Sequence, residues 1–263
     1  MRITLPDLLR MHAEHTPIVM LTCYDASFAR ALDGAGIDVL LVGDSLGMVV
    51  QGHDSPNPVT IGDMAYHTQA VARGVRRSFI LADMPFGTSQ ISPEDTFRHA
   101  VTLVQAGAQA VKIEGGSEMA RTVEFLARRG IPVCAHIGMT PQSHHQFGGF
   151  RVQGRDPVVA QGLLQSARDL ESAGAAVILM ECIPRLLAEE IHAALRVPTI
   201  GIGASPACSG QVLVLYDVIG LGPSPLPRLA KDYSTVAGGI GAMVSRFAEE
   251  VRNRSFPTAE HCY

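Results

Sequence analysis

The chain has 263 residues, 47% of them hydrophobic and 17% charged, with a formal net charge of -4 and no block of basic residues. That balance argues against nucleic acid or anionic membrane surfaces as partners, and no apolar run approaches the ~18 residues a membrane span requires. The five cysteines (Cys23, Cys134, Cys182, Cys208, Cys262) are odd in number and scattered, and the N-terminus lacks the apolar core of a signal peptide. Together these read as a reduced, cytoplasmic protein with neither a zinc site nor a disulfide framework.

The pattern predicts an opening helix over residues 6–15, then a regular alternation of apolar runs and amphipathic segments. Strands are expected at residues 18–24, 39–45, 79–83, 110–114, 132–136, 177–181, 199–203 and 211–217. Most are continuously apolar, as befits a parallel sheet covered on both faces. Helix starts are marked by Thr60-Ile-Gly-Asp63, Ser92-Pro-Glu-Asp95 and Ser117-Glu118, where a hydroxyl precedes an acid in the first turn. Ala35-Gly36-Ile37, Ala106-Gly107-Ala108 and Ala173-Gly174-Ala175 each place a glycine where a helix gives way to an apolar strand. Eight such units in about 250 residues have the dimensions of an α/β (β/α)8 TIM barrel, here with an N-terminal helix. No composition shift divides the chain, so residues 1–263 read as a single domain. An open doubly wound sheet is the second choice, since no G-x-G-x-x-G follows the first strand. The connections 46–59, 138–157 and 218–232 are too long for turns and should lie on the C-terminal face of the barrel. A last helix is expected near 233–252, followed by a frayed tail at 255–263.

Strand 110–114, Ala-Val-Lys-Ile-Glu, puts Lys112 and Glu114 on one face and Val111 and Ile113 on the other. Alone, this could be a surface ion pair. The barrel changes its meaning, because strand ends converge there and carry Asp44-Ser45, Asp83, Lys112 with Glu114, His136 and Glu181. Carboxylates brought so close would force protons onto one another unless a cation intervened. A hard divalent ion such as Mg2+ suits an all-oxygen donor set. Glu181, between Val-Ile-Leu-Met and Cys-Ile-Pro, sits in an apolar setting that suits a general base. Other readings stand beside these: Asp44 could cap a turn, Asp83 could form an Asx turn before Met84-Pro85, and His136 could be a core histidine. His144 and His145 read as loop residues. Gly201-Ile-Gly203-Ala-Ser205 has the look of a phosphate-cradling turn, although no P-loop motif is present.

The sequence resembles the ketopantoate hydroxymethyltransferase family. The resemblance is carried by Val42-Gly-Asp-Ser-Leu-Gly-Met48, Gly52-His-Asp54, Asp63-Met64 with Tyr66-His67, and Ala82-Asp-Met-Pro-Phe-Gly87. It continues through Ala106-Gly-Ala-Gln-Ala-Val-Lys-Ile-Glu-Gly-Gly116, His136-Ile-Gly-Met-Thr-Pro-Gln142, Gly149-Phe-Arg-Val-Gln-Gly154 and Gly210-Gln-Val-Leu-Val214. The resemblance implies a Mg2+-dependent (β/α)8 enzyme of pantothenate synthesis, assembled as a homo-oligomer, typically a decamer. It implies transfer of a hydroxymethyl group from 5,10-methylenetetrahydrofolate to 3-methyl-2-oxobutanoate through a Mg2+-stabilised enolate, giving 2-dehydropantoate. Asp44, Asp83 and Glu114 match the metal positions, reached directly or through water. Asp44, Ser45, Asp83 and Lys112 match the oxo-acid positions, with His136 a further candidate, and Glu181 matches the proton acceptor.

Several positions depart from the family pattern. Ser205 and Ser209 stand where glycine and aspartate are usual, Ala135 replaces a glycine, and Tyr216 replaces a histidine. Pro56-Asn57 replaces Thr-Leu, and Thr88-Ser89 replaces Ser-Tyr. None touches the metal positions, Lys112 or Glu181, so the departures bear on folate use and loop closure. Two alternatives remain at this level: a metal-dependent oxo-acid C–C lyase on a related barrel, and a catalytically degenerate paralogue.

Overall fold

In the computed structural model, which describes residues 2–263, eight parallel strands pair in chain order and close into a ring. They are β1 (Ile18–Thr22), β2 (Val39–Val42), β3 (Phe79–Asp83), β4 (Ala110–Glu114), β5 (Val133–Gly138), β6 (Val177–Glu181), β7 (Thr199–Ile202) and β8 (Gly210–Leu213). Closure is made by β8 against β1, with Gly210 opposite Ile18 and Leu213 opposite Leu21. Nearly every strand residue is buried. One face fills the barrel and the other meets the helices, which is why the strands read as unbroken apolar runs.

The helix starts expected at Thr60 and Ser92 hold, whereas Ser117 caps no helix: it opens a 3-10 turn, Ser117–Met119, ahead of helix Ala120–Ala127. The Ser92 hydroxyl accepts the Asp95 N–H at 3.1 Å to start helix Pro93–Ala106, and Thr60 and Asp63 form a reciprocal capping box on helix Ile61–Gly74. Gly36, Gly107 and Gly174 all have positive φ, the conformation that ends a helix just before the next strand. The opening helix, Leu5–Ala13, turns Leu5 and Leu8 onto the N-terminal end of the barrel beside Ile18, Val39 and Phe79. Helix Gly239–Arg252 packs against β1. Its Arg252 reaches the buried Asp38 at 3.2 Å, and Arg77 meets the same carboxylate at 2.7 Å. No helix among the described residues is long and apolar enough to cross a membrane. All five cysteines are free and buried.

Three expectations need correction. The eighth strand stops at Leu213, and Leu215–Val218 is a short helix, so Asp217 is a helical residue rather than a strand end. The run Val-Leu-Val-Leu-Tyr carries no periodicity that separates strand from buried helix. The last helix begins at Gly239, since the glycine pair Gly238-Gly239 adopts positive φ and breaks any earlier start. The tail is not frayed. Phe256 and Cys262 are buried, the Phe256 ring meets Phe247 edge-on at 5.7 Å, and the Arg185 N–H donates to the Tyr263 carbonyl at 2.8 Å.

Candidate active site

The C-terminal ends of β2 to β6 deliver the expected side chains to one place. Asp44 follows β2, Asp83 ends β3, Lys112 and Glu114 lie on β4, His136 is on β5 and Glu181 ends β6. All six, together with Ser45, line a single cavity of about 450 Å³. Every residue predicted for the site is therefore in it. The alternation along β4 puts Lys112 and Glu114 on the barrel's inner face, as the sequence required.

Lys112 is the hub. Its Nζ lies 3.3 Å from Asp83 Oδ1, 3.3 Å from Glu114 Oε1 and 3.2 Å from His136 Nδ1. Burial opposes the charge, but Asp83, Glu114 and Asp44 outweigh it and raise the lysine's pKa. Glu114 is fully engaged: Oε1 meets Lys112, and Oε2 accepts the Gln142 N–H at 3.0 Å. Against the opposing effect of burial, Lys112, His136 and that backbone donor hold Glu114 at about 2.

Asp44 and Asp83 behave oppositely. Burial, and for Asp44 also the neighbouring Asp83 charge, pushes both above the usual carboxylate range despite Lys112. Asp83 Oδ2 accepts the Asp44 N–H at 2.9 Å, whereas Asp83 Oδ1 is buried without a hydrogen bond. Asp44 Oδ2 accepts from Gln142 Nε2 at 2.8 Å, which leaves Oδ1 spare at the cavity wall. Two adjacent acids reluctant to ionise together, Asp83 with Oδ1 facing only the Lys112 ammonium and Asp44 with Oδ1 free of a hydrogen bond, fit a hard cation that keeps positions for water or substrate. No three His, Cys, Asp or Glu side chains among the described residues form a ready cage. The reason is local: the Lys112 ammonium stands between Asp83 and Glu114.

His136 links the cluster to Glu181. Its Nε2 faces Glu181 Oε2 across 3.3 Å, without the alignment of a hydrogen bond. Burial and Lys112 oppose protonation of the imidazole, but Glu114 and Glu181 together prevail and raise its pKa. Glu181 thus has a polar neighbour that its apolar sequence setting did not announce. Gly138, at the end of β5, brings that strand so close to the Glu181 carbonyl that any side chain there would collide with it. On the other flank, Ser45 shares a hydrogen bond with the Tyr24 hydroxyl at 2.9 Å.

Gln142 is a site residue that sequence reasoning did not single out. Its side-chain amide donates to Asp44 Oδ2 and to the Met84 carbonyl, both at 2.8 Å, while its main-chain carbonyl accepts from Asn57 at 3.2 Å. A loop glutamine has no chemical signature; its place in His136-Ile-Gly-Met-Thr-Pro-Gln142 was the only signal. The turn from Gly201 to Ser205 is not a phosphate cradle. Ser205 Oγ donates to Glu189 at 3.0 Å, and the space in front of Gly203 is filled by Leu229 and Tyr263. His144 and His145 stay in the β5 connection, where the His144 ring stacks on Phe150 at 5.8 Å.

Residues 2–259 match the ketopantoate hydroxymethyltransferase family. A 3-methyl-2-oxobutanoate hydroxymethyltransferase of Nitrosomonas eutropha is 53% identical over 262 residues, covering 100% of this chain and 97% of that protein. The one from Nitrosospira multiformis is 53% identical, with 100% of both chains covered. Among solved structures, phosphonopyruvate hydrolase in complex with oxalate and Mg2+ superposes with a TM-score of 0.62 at 14% identity, covering 98% of this chain and 93% of that one. A 2,3-dimethylmalate lyase gives 0.55 at 20% identity, covering 76% and 72%. These distant structures share the barrel, and the full-length likeness to the hydroxymethyltransferases adds the lineage: this chain belongs to the ketopantoate hydroxymethyltransferase family.

Proposed function

We propose that the protein transfers a hydroxymethyl group from 5,10-methylenetetrahydrofolate to 3-methyl-2-oxobutanoate, giving 2-dehydropantoate for pantothenate synthesis. The observation that carries this reading is the adjacency of Asp44 and Asp83, with Asp44 Oδ1 free of a hydrogen bond, within one cavity that also holds Lys112 and Glu181. Asp44 and Asp83 would hold Mg2+ directly, and Glu114, its oxygens already engaged, would act through water. The bound ion supplies Lewis acidity to the carbonyl and carboxylate oxygens of the oxo acid. Lys112 places its ammonium beside those oxygens and stabilises negative charge as it develops. Ser45 and His136 border the same space and complete the oxo-acid contacts. Glu181 removes the proton from C3, and His136 beside it steadies the carboxylate before and after the transfer. Water opens the 5,10-methylene bridge, both C–N bonds break to release tetrahydrofolate, and the C3 carbanion adds to the freed one-carbon unit, whose water-derived oxygen takes up a proton to give the hydroxymethyl group.

The same reading places residues 1–263 in one (β/α)8 domain, in the cytoplasm, as a homo-oligomer and by family resemblance a decamer. Free buried cysteines support the reduced compartment. Exposed Tyr66, Ile91, Val158 and Leu186 support subunit contacts.

Proton NMR of 3-methyl-2-oxobutanoate in D2O tests the first half without folate. With protein and Mg2+, the C3 proton signal should disappear, and EDTA should stop its loss. Adding 5,10-methylenetetrahydrofolate should then yield 2-dehydropantoate. Exchange without product under saturating folate would overturn the transfer.

A further inference from the structure

Six acids are buried among the described residues: Asp38, Asp44, Asp83, Glu114, Asp217 and Glu250. Five have partners. Asp38 has two arginines, Asp44 has Gln142, Asp83 and Glu114 share Lys112, and Glu250 has Lys231 and Tyr233. The Asp217 carboxylate alone has neither a hydrogen bond nor an ion pair, although it is only 5% exposed. An isolated buried carboxylate is an expensive feature, and burying it without a donor is rarely tolerated. Asp217 lines the same cavity as Asp44, Lys112 and Glu181, on the wall built by the segment after β8. Burial pushes its carboxyl up to about 6, so it is ionised at neutral pH.

The charge of Asp217 decides between the two substrates. An anionic oxo acid gains nothing from a carboxylate and is repelled by it. A pterin ring offers the opposite chemistry. Its 2-amino-4-oxo edge presents two parallel N–H donors, which match the two oxygens of one carboxylate as a guanidinium does. The rest of the wall fits the remainder of such a ligand. Pro223, Pro227, Leu229 and Tyr263 give an apolar surface, and Arg228 is exposed at the rim. Arg228 is the one basic side chain lining the cavity besides Lys112 and His136, and it is oriented by the Glu260 carbonyl at 2.8 Å. A donor edge in depth and a carboxylate tail at the mouth describe a folate lying along this wall.

Building on the function proposed above, we propose that Asp217 anchors the folate co-substrate by accepting two hydrogen bonds from the 2-amino-4-oxo edge of its pterin ring. Asp217 is a binding residue, with no part in the removal of the oxo-acid proton. It sets which one-carbon carrier the enzyme accepts.

The test separates the two half-reactions. Asp217→Asn keeps the shape but turns one acceptor into a donor that opposes the pterin. Tetrahydrofolate binding, followed by calorimetry, should weaken roughly 10- to 100-fold, the loss expected when a charged acceptor is removed. The KM for 5,10-methylenetetrahydrofolate should rise with it. Folate-free exchange of the oxo-acid C3 proton should persist, which also shows that the variant folds. Unchanged tetrahydrofolate affinity would overturn the proposal, and so would a parallel fall in exchange and folate binding, the mark of a structural role. If the wild-type protein exchanges no C3 proton yet binds tetrahydrofolate in an Asp217-dependent way, the proposed reaction fails and the anchor stands. Should Asp217→Asn not fold, a 2-desamino tetrahydrofolate offered to the wild type probes the same pair of hydrogen bonds from the ligand side. It should bind at least about tenfold more weakly than tetrahydrofolate, and equal binding would sink the idea.

Discussion

At the scale of single residues, the site is a set of carboxylates made different by their neighbours. Glu114 is tied down by Lys112 and a backbone N–H, whereas Asp44 and Asp83 press on each other, and Glu181 stands apart beside His136. These differences predict separable failures. Glu181→Gln should still bind 3-methyl-2-oxobutanoate but lose C3 exchange by about 10²- to 10⁴-fold, the usual worth of a general base. Near-normal exchange measured by NMR would remove Glu181 from that role. The acid pair makes a pH prediction. Both folded pKa values are raised, so the stability these groups contribute is lost as pH climbs above 3.8 and through their folded values. A divalent ion reverses that loss, because it binds the ionised pair. The Tm gain produced by Mg2+ over EDTA should therefore be larger at about pH 8 than at about pH 5.5. An equal gain at both pH values would show that the ion binds elsewhere.

At the scale of elements, the connection after β5 does more than cover the mouth. Through Gln142 it holds Asp44 by one hydrogen bond, Met84 by another and Glu114 by a third, so one loop residue braces three strand ends. Gln142→Ala should leave the barrel folded and lower apparent Mg2+ affinity about tenfold, as expected for a group that orients a ligand from behind. Calorimetric titration of Mg2+ would show it, and an unchanged affinity would reduce Gln142 to a loop tie. The sequence could not reveal this brace, because a glutamine's value lies in distances across separate loops. Strands β3, β4 and β6 were legible to the residue, since each apolar run is bounded by charge, glycine or a turn. The strand-to-helix change around Val214 was not, because apolar residues fill both states equally well.

At the scale of the whole molecule, ring order and the placing of six site residues followed from runs, glycines and strand-end charges. The tail did not, because its anchors are few and bind far along the chain. Phe256 meets Phe247, Arg228 grips the Ala259 and Glu260 carbonyls, and Tyr263 reaches the cavity wall beside Gly203. Removing residues 255–263 should destabilise the fold by about 3 kcal/mol, the scale of one buried aromatic lost from a core. Urea denaturation would measure it, and a loss below about 1 kcal/mol would mean the tail merely rests on the barrel.

The hub at Lys112 also sets an order of events. Five carboxylates, Asp44, Asp83, Glu114, Glu181 and Asp217, share the barrel mouth with this one lysine, a histidine and Arg228 at the rim. Before any cation arrives, that mouth is a region of negative potential, and an oxo acid that is itself an anion is turned away from it. The molecule is therefore gated by charge rather than by shape. Kinetically, binding should be sequential, with the divalent ion first, the oxo acid second, and no measurable oxo-acid affinity in its absence.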